Sequence, residues 1–73
     1  MTRLPALSGR EAVAVFCRLG WTIARQRASH IVLVKAGHRA TLSVPDHPEL
    51  ARGTLRALIR RAGLTLEDLV AGI

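Results

Sequence analysis

The residues of this chain best suited to chemistry fall in two short stretches: the cationic run Arg25-Gln26-Arg27-Ala28-Ser29-His30, and His47 in Val44-Pro45-Asp46-His47. An imidazole can be neutral near neutral pH and so can take a proton from a hydroxyl group. Guanidinium groups can balance negative charge that develops on phosphoryl oxygens. Arginines at 25 and 27 are alternate residues, which one strand presents on one side. Together with His30 at the start of the next strand, they suit a site for a phosphodiester.

The rest of the chain must position these groups. Ser8-Gly9-Arg10-Glu11 has the spacing of a capping box, which predicts a helix from Gly9 with Ala12, Val13, Val15, Phe16 and Leu19 buried. Gly20 ends it as a left-handed cap. Trp21 to Arg27 reads as a half-buried strand and His30 to Lys35 as the next. Ala36-Gly37-His38 marks a turn, and His38 is expected to be solvated. Arg39 to Val44 alternates, and Pro45, which has no N–H to give a ladder, should end the sheet. After a loop from Asp46 to Leu50, Gly53-Thr54 opens a helix with Leu55, Leu58, Ile59 and Ala62 on its core stripe. Gly63 closes it, and Thr65-Leu66-Glu67-Asp68 resembles a second capping box before a short terminal helix. The expected fold is α+β: helix, three-stranded antiparallel sheet, helix, with both helices on one face, in the outline of a double-stranded-RNA-binding-like domain.

Composition limits the function classes. Seventy-three residues make one domain, 1–73, which at this size buries about 60 % of its unfolded surface. A net charge of +6 points to an anionic partner, and nucleic acid is the commonest for a small basic domain. Ten of the eleven basic residues are arginine. Base composition of the coding sequence alone can produce that bias, so placement carries the argument. No apolar run approaches the roughly 20 residues of a spanning helix, and the N-terminus lacks a signal-peptide layout, which sets the expectation of a cytoplasmic protein without a membrane partner. A single cysteine, Cys17, cannot form an internal disulfide and is expected in a helix core. The histidines show no short ligand pair and the carboxylates number five, so neither a metal site nor a cofactor is expected.

Arg52, Arg56 and Arg60 recur at i, i+4, i+8 beside the apolar stripe of the second helix. Like charges at that spacing repel. A phosphate backbone would supply counter-charge, as would an acidic protein, and a solvated face remains the plain alternative. Free N–H groups near Gly53 and Thr54 could add a phosphate contact. Phe16 and Trp21 are the only aromatics and are expected in the core, which leaves no stacking platform for reading bases.

Several of these segments, taken in order, give the chain a specific likeness. Leu7-Ser8-Gly9-Arg10-Glu11, Gly20-Trp21, Arg25 to His30, Val44-Pro45-Asp46-His47, Gly53-Thr54-Leu55-Arg56 and Ala62-Gly63-Leu64 resemble the recurring features of HicA-type toxins, small ribonucleases of bacterial toxin–antitoxin pairs. The resemblance implies metal-independent cleavage of mRNA with His30 as the catalytic residue, and a cognate HicB-like antitoxin covering the site around it. Arg25 and Arg27 are then candidates for neutralising the phosphate. His47 is a candidate general acid or a support for its loop. Two positions depart from the family: Ala28 stands where glycine is usual, and Trp21 where phenylalanine is usual. A non-catalytic RNA-binding module on the same fold is the alternative, and a subunit docking an acidic protein is a third reading.

Overall fold

The computed structural model describes residues 2–73. Its first helix, α1, spans Gly9–Arg18 and starts as its sequence predicts. The Glu11 backbone N–H donates to Ser8 Oγ at 3.0 Å, and the Ser8 N–H donates to Glu11 Oε1 at 2.8 Å. At the other end Gly20 takes φ +103°. The Gly20 N–H then reaches the Cys17 carbonyl and the Trp21 N–H the Phe16 carbonyl, the paired bonds of a Schellman turn. This turn aims Trp21 back into the core beside Phe16, and both are buried.

Strands β1 (Thr22–Arg27), β2 (His30–Val34) and β3 (Leu42–Pro45) form one antiparallel sheet in the order β1-β2-β3. Ile31, Leu33, Leu42 and Val44 alternate onto one face and are buried against Phe16, Leu55, Leu58, Ile59 and Leu69. Helix α2 (Arg52–Arg61) supplies the expected stripe of Leu55, Leu58 and Ile59, with Ala62 just beyond it. Gly63, at φ +73°, closes it in a second Schellman turn through Gly63 N–H to Arg60 O and Leu64 N–H to Ile59 O. Helix α3 (Leu66–Ala71) opens on a Thr65–Asp68 capping box. The Thr65 backbone N–H donates to Asp68 Oδ2 at 2.9 Å, and this bond first, with the Thr65 side chain second, holds the Asp68 carboxyl below its ordinary pKa. The architecture is the double-stranded-RNA-binding-like one, with a short C-terminal helix added.

Five expectations need correction. Strand β1 is exposed at every position, where a half-buried strand was expected. It is an edge strand, and a bulge between Ile23 and Arg25 breaks its period of two. The third strand starts at Leu42, whose pairing with Leu33 is the last of the ladder, and Arg39 to Thr41 have no strand partner; the Thr41 carbonyl instead accepts from Arg61 Nε at 2.7 Å. Helix α2 begins at Arg52 with Ala51 as its cap, one residue before Gly53. Cys17 is exposed, since it lies on the flank of α1 away from the core stripe. His38 is half-buried with its ring 4.9 Å from that of Trp21, because the turn folds it back over the indole.

Candidate active site

The bulge in β1 decides where the cationic run points. Ile23 pairs with Leu33, whose side chain is in the core, so a regular strand would send residues 25 and 27 toward the helices as well. Ala24 is instead an extra residue with no partner of its own, and the parity changes after it. Arg25 pairs with Val32 and Arg27 with His30. Directly opposed residues share a face in an antiparallel pair. Arg25, Arg27 and His30 therefore lie together on the face turned away from the helices. Ser43, which pairs with Val32, and Pro45, which pairs with His30, complete that face.

His30 stands at a corner of the sheet, exposed, and its backbone is paired to Arg27 on one side and Pro45 on the other. A two-residue loop, Ala28-Ser29, leads into it. Ala28 takes φ +50°, the one non-glycine residue in the left-handed region among those described. For an alanine this costs about 1–2 kcal/mol relative to glycine's freedom there. The hairpin closes on the residue present, and the departure from glycine is absorbed as strain without loss of the turn.

The second signature folds against the first. The Asp46 N–H donates to the Ser29 carbonyl at 2.6 Å, tying the loop after β3 to the residue before His30. Helix α1 holds that loop from below. The Gly9 N–H donates to the His47 carbonyl at 2.9 Å, and Arg10 grips the Asp46 carboxylate through Nε and Nη2. Gly9 cannot carry a side chain here: a Cβ would sit 1.9 Å from the Pro45 carbonyl oxygen. The loop around His47 is thus fixed by backbone bonds and one ion pair, while the His47 residue itself remains exposed.

Helix α2 sorts its polar residues onto two flanks. Thr54 and Arg61 line a groove with Thr41, Ser43 and Ala57, so this flank adjoins the His30 face through Ser43. Arg52, Arg56 and Arg60 are on the opposite flank, over hollows bounded by Leu4 and Leu66. The arginine stripe and the His30 face are therefore separate surfaces. Sequence reasoning did not separate them; it gave Arg10 no partner, and it gave Gly9 only the first position of α1. A glycine at the first helical turn, where a better helix former would serve the helix, was the available signal for a close backbone approach.

Among the described residues no three His, Cys, Asp or Glu side chains gather as a metal site would need, and no helix is long and apolar enough to cross a membrane. A comparison with curated proteins returns no match. A family model described as the HicA toxin of bacterial toxin–antitoxin systems matches residues 9–64, a span that opens at the glycine under the Pro45 carbonyl and closes at the second Schellman turn. With that match covering most of its length, the chain belongs to the HicA toxin family.

Proposed function

We propose that this protein is a toxin whose activity is metal-independent endonucleolytic cleavage of mRNA in the cytoplasm, with His30 as the catalytic base. The observation that carries the reading is the shared face of His30, Arg25 and Arg27. His30 takes the proton from a ribose 2′-hydroxyl, and the 2′-oxygen attacks the adjacent phosphorus. The bond to the 5′-oxygen of the next nucleotide breaks, leaving a 2′,3′-cyclic phosphate and, once the leaving oxygen is protonated, a 5′-hydroxyl. Arg25 and Arg27 balance the charge that gathers on the phosphoryl oxygens during the attack. His47, on the loop tied to Ser29, is the group that returns a proton to the leaving oxygen. Thr54 and Arg61 extend the contact along the same side of the domain. Arg52, Arg56 and Arg60 hold a more distant part of a long RNA by its phosphates. Control comes from a HicB-like antitoxin that covers the His30 face.

The deciding experiment is incubation of a long RNA with the purified protein in the presence of a chelator, set beside the His30→Ala variant. Cleavage by the first and none by the second is expected, with 2′,3′-cyclic phosphate ends on the fragments. Binding without cleavage by both would favour the non-catalytic RNA-binding reading.

A further inference from the structure

One edge of the sheet ends in a groove that the rest of the fold leaves open. Strand β1 has β2 on one side only, and every residue from Thr22 to Arg27 is exposed. On the helix side of that edge, Ile23 and Gln26 face α1 across a groove floored by Val13 and Ile31. The wall from α1 is made of Arg10, Ala14 and Cys17, spaced i, i+4, i+7 and so on one flank of the helix. Ala14 and Cys17 are too small to cover the groove. Ile23 consequently remains 52 % exposed, although its partner Leu33 is fully buried. On the other side of the same edge stand Arg25 and Arg27.

These features define what fits. A strand added along β1 would satisfy backbone groups at the open edge and would alternate its own side chains between two very different environments. Those directed under α1 would meet Ile23, Ala14 and Cys17 and must be apolar. Those on the opposite face would lie beside Arg25 and Arg27 and are best acidic. A second copy of this chain does not meet that requirement, because two β1 strands would place Arg25 and Arg27 against one another's positive charge.

We propose that the open edge of β1 is the docking site for an extended segment of the antitoxin, alternating apolar and acidic residues, which enlarges the sheet to four strands. The proposal rests on the reading of a partner-controlled toxin given above. It adds how control reaches the site: the acidic side chains of the added strand occupy the guanidinium groups that would otherwise meet the phosphate, and they extend outward the face on which His30 stands.

The single thiol of the chain serves as a reporter. The probe is a ten-residue synthetic peptide of alternating valine and glutamate, added to the full chain while the rate of Cys17 alkylation by N-ethylmaleimide and the amide exchange of β1 are followed. The peptide is expected to slow Cys17 alkylation at least ten-fold and to slow exchange at Thr22 to Arg27. Ile23→Glu, at a position exposed enough for folding to survive, is expected to weaken that protection at least ten-fold, with the milder Ile23→Ser between the two. The same peptide with a central proline should not protect. His30→Ala should bind the peptide as the wild type does, so that failure of the ribonuclease reading and failure of this one are told apart. The proposal is overturned if the peptide leaves Cys17 and β1 unprotected, or if protection survives Ile23→Glu. It is equally overturned if an oligouridine protects Cys17, which would make the groove under the edge an RNA surface, or if β1 becomes protected with protein concentration alone, which would make it a contact between copies.

Discussion

Arg10 and Asp46, 36 positions apart, meet in a two-point ion pair, with Arg10 Nε 3.2 Å from Oδ1 and Nη2 3.1 Å from Oδ2 of the carboxylate. Arg10 is 72 % exposed, so the pair is screened by solvent and contributes little to global stability, about 0.5 kcal/mol. Its effect is on the loop. A double-mutant cycle with Arg10→Ala and Asp46→Ala should give a coupling no larger than about 1 kcal/mol in urea unfolding. Each single variant should lower RNA cleavage by several-fold more than that stability loss explains, because Asp46 also fixes Ser29 and with it the entry to His30.

Ala28→Gly should stabilise the protein. Relief of an alanine held at φ +50° is worth about 1–2 kcal/mol, less roughly 0.5–1 kcal/mol for the greater freedom of glycine in the unfolded chain. A gain of up to about 1.5 kcal/mol in urea unfolding, with cleavage equal to or above that of the wild type, is the expected outcome.

Gly9→Ala should do the reverse. A methyl group 1.9 Å from the Pro45 oxygen cannot be accommodated by a side-chain rotation, since the obstacle is backbone. The start of α1 and the end of β3 must separate, at a cost of about 2 kcal/mol or more. Thermal unfolding measures the loss, and exchange of the Asp46 amide, which is bonded to Ser29, should accelerate in the variant.

The two arginine surfaces should separate kinetically. Arg25→Gln and Arg27→Gln act beside the phosphate under attack and should each lower the single-turnover rate on a short RNA by about ten-fold or more. The combined replacement of Arg52, Arg56 and Arg60 by glutamine should leave that rate unchanged. It should weaken binding of a long single strand and flatten the salt dependence by about 0.7 for each phosphate that is no longer neutralised.

Acid should loosen α3 through Asp68. Its carboxyl is held below the ordinary value by the hydrogen bonds of the Thr65 cap, so the folded state binds that proton less readily than the unfolded chain. The stabilisation is fully present above the ordinary carboxylate range and is lost as pH falls through the lowered folded-state value. An NMR titration of the Asp68 carboxyl should show its midpoint below that of Asp68 in the urea-unfolded chain, and Asp68→Asn should remove this acid dependence.

Local rules were enough for much of this protein. The capping boxes at Ser8 and Thr65, the left-handed glycines at 20 and 63, and the apolar stripe of α2 each depend on residues within one or two turns of each other, and each was legible in the sequence. The candidate histidine and its neighbouring arginines were legible too, as residue types at a spacing. Their facing was not. Alternation alone would align Arg25 and Arg27 with Ile23, toward the helices, and only the unpaired Ala24 turns them to the side of His30. That bulge is settled by the register in which β1 aligns on β2 across the Ala28-Ser29 loop, which the alternation of side chains does not encode. The same holds for Arg10 on Asp46, for Gly9 beneath Pro45 and for the flank of α2 that Arg52, Arg56 and Arg60 occupy. Sequence determined which groups the chain could offer, because helix caps, turns and periodicity are local. Tertiary structure decided which of them share a surface, because only packing of α1, the sheet and α2 sets the relative facing of elements far apart in the chain.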